Sequence, residues 1–320
     1  MTNRRVTIEQ RRAREEAARV KSRLKWGSSK ANGHPTSRRS ATASAGRAGR
    51  RAPRIAIGAV VAILAALVVV KVAIRPAPST PASTAPASVV RAVAGVPRSA
   101  FDAAGVTSGL TPPVALPSRT PPLASAGLPQ VVYEGAEYCP YCAAERWAVV
   151  VALSRFGTFS GLGATESSTS DVYPGTKTFT FNGSTFNSSY LHFTPVELQS
   201  NQPALGGGYK DLQKPTELEQ QLLDRFDQAP YTTSAGAIPF IDIGNRYVVS
   251  GATFSPGLLQ GLSMQAIANA LNDPNSAIAK AILGSANLIT AAVCEATGDQ
   301  PSSVCASAGV VQAKARLGAR

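Results

Sequence analysis

The stretch Tyr138-Cys139-Pro140-Tyr141-Cys142 constrains this chain more than any other. It sits between a short apolar run, Val131-Val132-Tyr133, and a helix-like run from Ala143 to Phe156. Two thiols separated by two residues at a strand-to-helix junction suit a pair in which one attacks and the other resolves. Cys139 falls at the helix N-cap and Pro140 at the first helical position, where the missing N–H would have had no partner in any case. The unpaired N–H groups and positive end of such a helix favour a thiolate at Cys139, while Cys142, one turn in, lies deeper. A structural disulfide and half of a zinc site are the competing readings. Zinc would need two more ligands from Cys294, Cys305 and His192, and the ten residues between the late cysteines are not a metal-like spacing. Haem attachment is disfavoured because Ala143, not histidine, follows Cys142.

Charge divides the chain sharply. Residues 1–54 hold 16 of the 32 Lys and Arg but only three of the 19 acids, so the whole net charge of +13 belongs to this tail. The remainder is electrically balanced and offers no case for nucleic acid as a partner. Thr7 and Gln10 can cap a polar helix near the start, and residues 26–54, rich in Gly, Ser, Ala and Arg, read as disordered.

Residues 55–74, Ile55 to Ile74, form an apolar run interrupted only by Lys71. At helical rise its length matches the hydrocarbon core of a bilayer. A cleavable signal peptide usually has a shorter apolar region and no basic tail of this length. Arg47, Arg50, Arg51 and Arg54 crowd the N-terminal flank, so the positive-inside rule puts the N-terminus in the cytoplasm and everything after Arg75 outside. The tail then lies against the inner membrane face, with the lipid bilayer as a partner.

Residues 75–87 read as a Pro/Ala-rich linker, and the domain boundary is placed near 88, with the folded core from about 126. Val89, Val90, Val93, Val96, Phe101 and Val106 are apolar enough for 88–125 to dock on the domain as an N-terminal arm. From Gln130 the pattern is α/β. A strand at 131–133 leads through the cysteine motif into a helix with Val149, Val150, Leu153 and Phe156 on one face. Residues 178–181 and 190–193 read as strands with a Gly183 turn between them, and 215–226 as a helix. Ile238-Pro239-Phe240-Ile241-Asp242-Ile243 and Arg246-Tyr247-Val248-Val249 form two strands around a Gly244-Asn245 turn. The last third is helical with a break at Asp273-Pro274. His192 reads as a strand residue with a satisfied hydrogen bond, and Gly206-Gly207-Gly208 as a flexible turn without a phosphate-loop pattern.

A strand, Cys-Pro-Tyr-Cys, a helix, and much later a proline between two paired strands is similar to the order of the thioredoxin-like superfamily. That resemblance implies that Pro239 is cis and packs beside the cysteine pair, with Ile238 before it. The run 133–147, Tyr-Glu-Gly-Ala-Glu-Tyr-Cys-Pro-Tyr-Cys-Ala-Ala-Glu-Arg-Trp, more closely resembles the signature of an uncharacterised family, the domain of unknown function 929, over about residues 88–320. Tyr138 stands where thioredoxin has a tryptophan. Its buried strand acid has no clear equivalent, since Glu134 and Glu137 read as solvated carboxylates near the rim. The 96 residues between Cys142 and Pro239 imply an insertion, and the helical C-terminal third an extension.

A membrane-tethered domain outside the cytoplasm with four cysteines suits thiol–disulfide chemistry on secreted or envelope proteins. Cys139 is the nucleophile, Cys142 the resolving thiol and Pro239 the implied cis-proline, with Tyr138, Pro140, Tyr141 and Ile238 in support. Expected partners are client proteins with cysteines and a membrane or envelope redox partner; the chemistry requires no cofactor and no metal. Cys294 and Cys305 most simply pair with each other, a relay to the first pair being the alternative. Oxidase, reductase and isomerase all stay open. So does a second class, a non-catalytic binding or envelope-assembly module whose disulfides are structural.

Overall fold

The computed structural model describes residues 79–317. The basic tail and the apolar segment 55–74 lie outside the described residues. What is described is a mixed α/β architecture with eight α-helices.

The N-terminal arm packs from its first residues. Strand β1 (Ser83–Thr84) pairs antiparallel with β6 (Gly163–Glu166). Helices α1 (Ala87–Ala94) and α2 (Arg98–Ala104) then bury Val89, Val93 and Phe101. Short strands β2 (Val114–Ala115) and β3 (Ala124–Ser125) lead to β4 (Leu128–Gly135), whose residues from Gln130 on are all buried. Helix α3 (Pro140–Leu153) follows directly, with Cys139 as its N-cap and Pro140 in its first turn. Every α3 residue except Tyr141 is buried, so its apolar stripe of Val149, Val150 and Leu153 is only part of its packed surface.

The region between the cysteine motif and Pro239 is mostly sheet. Strand β5 (Gly157–Ser160) pairs with β8 (Thr185–Ser188), and β6 pairs with β7 (Lys177–Thr180). Gly183 turns the chain from β7 toward β8; the next strand, β9 (His192–Glu197), pairs elsewhere. The sequence expectation of adjacent strands at 178–181 and 190–193 is therefore corrected. β8 alternates small and polar residues around Phe186 and carries too little apolar signal to read as a strand, while β9 is drawn away to β4. Strands β10 (Gln199–Pro203) and β11 (Tyr209–Asp211) form a hairpin across Gly206-Gly207-Gly208, all three with positive φ.

Helix α4 (Glu217–Phe226) starts at a reciprocal cap in which Thr216 and Glu219 satisfy each other's backbone N–H groups. Strands β12 (Phe240–Ile243) and β13 (Tyr247–Ser250) form a hairpin, turned by Gly244 and Asn245 at φ 62° and 54°. A 3₁₀ turn at Pro256–Leu259 precedes α5 (Met264–Ala270), α6 (Ala277–Ala296), α7 (Ser302–Cys305) and α8 (Ala308–Leu317). Among the described residues α6 alone is long and apolar enough to cross a membrane, yet it is buried without a break from Ala281 to Cys294 and serves as a core helix.

The central sheet runs β2-β13-β12-β4-β9, with β3 extending the start of β4. β9 lies parallel to β4, with Gln130 opposite His192 and Gly135 opposite Glu197; β12 lies antiparallel on the other edge, with Ile241 opposite Tyr133. Alternation along β4 divides the core. Val131 and Tyr133 face the large cluster under α3 and α6, and Val132 faces Phe240, Val248 and the Leu222, Leu223 and Phe226 stripe of α4. Phe179 and Phe181, both fully buried on the α3 side, each contribute about 1.5–3 kcal/mol through removal of apolar surface from water.

Candidate active site

Strand β4 ends under the site, and three residues of loop turn it into α3. Cys139 is extended, at φ −79° and ψ 122°, and its Sγ accepts the backbone N–H of Cys142 at 3.2 Å. The orphan donors of the first helical turn are thus aimed at sulfur. The Ile238–Pro239 peptide bond is cis, and the Ile238 carbonyl oxygen lies 3.7 Å from Cys139 Sγ. The Pro239 carbonyl accepts from Gly251 N–H at 2.8 Å, which ties this loop to the end of β13. The structure therefore brings Cys139, Cys142, Pro140, Tyr138, Tyr141 and Ile238 together. Both cysteines are free thiols, Cys142 fully buried and Cys139 with a sliver of exposed surface, 6%.

Their electrostatics diverge. Burial alone would raise the Cys139 pKa, but hydrogen bonds from the Cys142 thiol and N–H, the charge of Arg146 and the Tyr141 N–H together bring it below the ordinary thiol value. The Cys142 thiol is pushed well up, by burial first and then by its neighbour Cys139. One sulfur is prepared to be the anion and the other to hold the proton, the division of labour an attacking and a resolving thiol need.

Arg146, one turn beyond Cys142, belongs to a buried cluster that periodicity did not disclose. Its Nε and Nη2 donate to the two oxygens of Glu197 on β9 at 2.8 and 2.6 Å, and neither side chain touches water. Glu197 also accepts from Phe181 N–H at 3.1 Å. Arg146 lies 5.9 Å from the centre of the Tyr133 ring, while its Nη1 and the Tyr133 hydroxyl have no hydrogen-bond partner among the described residues. Gly135 is required here, since a Cβ on it would sit 2.3 Å from the Tyr133 hydroxyl oxygen.

Glu134 and Glu137 are buried, not solvated at the rim. The reason is that β9 pairs along β4 as far as Gly135 and Glu137 lies against Gln199, Thr180 and Asn201 from later strands, which one strand's composition cannot reveal. Burial raises the Glu137 carboxyl against opposing contributions from Thr180, Arg146 and Asn201. Glu145 on α3 accepts from both the N–H and the hydroxyl of Thr253 at 2.8 Å, and burial still raises it to about 7.

The two tyrosines around the pair are held by residues from the region before Pro239. Tyr209 of β11 stacks on Tyr138, centroids 4.3 Å apart and planes 7° apart. Tyr173 meets Tyr141 edge to face at 6.0 Å. Nothing in the local sequence around Tyr173 or Tyr209 marked them; only their aromatic character gave a signal.

Cys294 and Cys305 form a disulfide that joins the end of α6 to α7. Their sulfurs are thereby unavailable to complete a zinc site with Cys139 and Cys142. His192 opens β9, opposite Gln130.

The family described as a domain of unknown function, DUF929, matches residues 118–295, a span that includes the cysteine pair, Arg146, Glu197 and the cis-proline loop. No curated protein and no solved structure matches the chain.

Proposed function

We propose that this chain, which belongs to the DUF929 family, is a membrane-anchored, extracytoplasmic thiol–disulfide oxidoreductase with a thioredoxin-like fold. One observation carries the reading: Cys139 Sγ sits at the start of α3, accepting the Cys142 N–H at 3.2 Å, with the carbonyl before cis-Pro239 at 3.7 Å. Support for the fold comes from the order β9-β4-β12-β13. The helix after β4 returns the chain to a parallel neighbour, and the cis-proline immediately precedes the antiparallel one. The tether rests on the apolar run 55–74 and the basic residues before it.

In the reducing direction the Cys139 thiolate attacks one sulfur of a client disulfide. A Cys139–client bond forms, the client S–S bond breaks, and the first client sulfur leaves as a thiolate that takes up a proton. Cys142 loses its proton and attacks Cys139 Sγ, releasing the second client thiolate. The client gains two electrons and the protein is left with a Cys139–Cys142 disulfide. Run backwards, the same steps oxidise a client dithiol. A dithiol or disulfide partner in the envelope resets the pair in either case.

A redox titration of the full chain tests the reading, with free thiols alkylated and each pair assigned by peptide mass. A Cys139–Cys142 couple between about −120 and −270 mV supports a catalytic pair and its position separates oxidant from reductant. Resistance of that pair until below about −300 mV makes it structural and favours a binding or assembly module instead.

A further inference from the structure

Helix α3 is followed, at the end opposite Cys139, by an arginine held without a counter-charge. Arg155 Nη1 donates to the side chains of Asn287 and Thr290 on α6, both at 3.3 Å, and Nη2 donates to the Ser307 hydroxyl at 2.9 Å; all three acceptors are neutral and fully buried. The guanidinium also lies over the Phe101 ring, 4.3 Å from its centroid. Among the described residues no carboxylate forms a salt bridge with it. Asp102 attracts it, but that carboxylate is engaged by Arg98 at 3.5 Å and by the Gly309 N–H at 2.8 Å. Burial outweighs this attraction, and repulsion from Arg98 adds to it, so the Arg155 pKa is pushed down to about 10. The last carbonyls of α3, those of Val150, Ala152 and Leu153, accept backbone N–H groups and not the guanidinium.

A guanidinium has five N–H donors, and these bonds use three. Left over are Nε–H and one N–H of Nη2, the same two nitrogens with which Arg146 grips both oxygens of Glu197. Unlike Arg146 Nη1, which is sealed without a partner, Arg155 Nε reaches solvent. Arg155 lines a cleft of about 190 Å³ whose other walls are chiefly apolar: Val93, Val96 and Phe101 from the N-terminal arm, Val151 from α3 and Val304 from α7. Ser303, an exposed residue, also lines it. The cleft therefore joins one oriented cation to a hydrocarbon surface, an arrangement suited to a ligand and costly as a bare packing device.

We propose that this cleft binds a monocarboxylate with a short apolar body, Arg155 holding the carboxylate and the valines and Phe101 covering the hydrocarbon. The occupant follows from the chemistry of the walls. Two remaining donors on one guanidinium match the two oxygens of a carboxylate. A single uncompensated positive charge, that of Arg98 being engaged by Asp102, suits a monoanion better than a dianion such as phosphate. The apolar walls disfavour a polyhydroxylated acid, whose hydroxyls would lose water without gaining partners. A free short-chain acid and the C-terminus of a polypeptide ending in an apolar residue both present this chemistry. Cys139 lies at the other end of the 14-residue helix, about 21 Å away at helical rise, so the inference stands apart from the oxidoreductase reading.

The test is a ligand-observed NMR titration of the full chain in lipid nanodiscs, with protein-free nanodiscs as the blank. Isovalerate should bind saturably with a Kd of about 1 mM or tighter, as a ligand of its size permits. Its neutral amide, isovaleramide, should bind about tenfold more weakly for want of the charge-assisted pair, and acetate about fivefold more weakly for want of the branched hydrocarbon. Ser303→Glu puts a competing carboxylate at an exposed position of the cleft, leaves the buried partners of Arg155 in place, and should abolish isovalerate binding. Arg155→Met should abolish it too. Absence of saturable binding, equal binding of acid and amide, or binding that survives either variant overturns the proposal. Tighter binding of N-acetyl-glycyl-valine than of isovalerate would assign the cleft to a polypeptide terminus, and weaker binding to a free acid, the shared site standing in both cases. A cysteine pair found inert by redox titration would leave every one of these ratios as expected.

Discussion

Arg146 and Glu197 meet at two points with neither side chain exposed, joining the helix that carries the cysteines to the strand parallel to β4. A buried charge without its partner costs far more than a buried pair. Arg146→Met or Glu197→Leu alone should therefore destabilise the domain by about 3–5 kcal/mol, whereas the double variant should recover most of that loss. Urea unfolding of the three variants checks this, and additive losses in the double variant would contradict it.

Trapping distinguishes a catalytic pair from a structural one. Cys142→Ser removes the resolving thiol, so mixed disulfides between Cys139 and secreted or envelope proteins should accumulate, and adding Cys139→Ser should abolish them. Non-reducing gels of whole-cell extracts report the adducts. Their absence from the single variant would favour a binding module.

The divergent thiols predict unequal alkylation. In the reduced protein, Cys139 should react with iodoacetamide with a half-point below the ordinary thiol value of about 8.5, while Cys142, buried and raised, stays unmodified through the same range. Peptide mass mapping across pH resolves the two. Removing the Arg146 charge should move the Cys139 half-point upward, since that charge is among the influences that lower it.

Glu145 makes stability depend on pH in a stated direction. Its carboxyl is raised from 4.5 to about 7, so between those values the folded form holds a proton that the unfolded chain has released. The stability this contributes is present in full below about 4.5 and is lost as pH rises to 7, a change on the order of 2–3 kcal/mol. Asp242, raised by burial from 3.8 to about 7, adds to the same slope. Glu145→Gln keeps the acceptor for Thr253 and should flatten part of the decline in denaturant midpoint between pH 5 and 7. An unchanged slope would show that Glu145 is already ionised there.

The second disulfide should act on stability alone. Replacing both Cys294 and Cys305 by serine should cost about 3 kcal/mol, as expected of so short a loop, and leave the alkylation profile of Cys139 unchanged. A shifted profile would instead couple the two pairs.

Much of the site's skeleton was legible in the chain. Cys139 and Pro140 carry their helix-start chemistry in their residue types, and the Gly244-Asn245 turn is marked by two residues that tolerate positive φ. The electrostatics were not legible. Nothing in the residues around Arg146 marks it, and only its closure against Glu197, 51 residues later, makes it a buried cation. Glu134 and Glu137 read as rim residues for the same reason, since what covers them comes from strands whose own composition says nothing of where they dock. α3 showed one apolar face because apolar periodicity cannot register a helix whose polar side chains are also enclosed.

The surroundings of the cysteine pair come from four separate parts of the chain: 138–146, the turn and strand near 168–180, Glu197 with Tyr209, and the loop at 238–239. A peptide cut from 133–147 would carry both cysteines and the groups that lower Cys139, yet neither the burial that raises Cys142 nor the Glu197 carboxylate that holds Arg146 in place. During synthesis, which runs from the N-terminus, Cys139 and Cys142 appear almost a hundred residues before Pro239. Until the later strands arrive they are an ordinary dithiol, open to pairing with whatever passes.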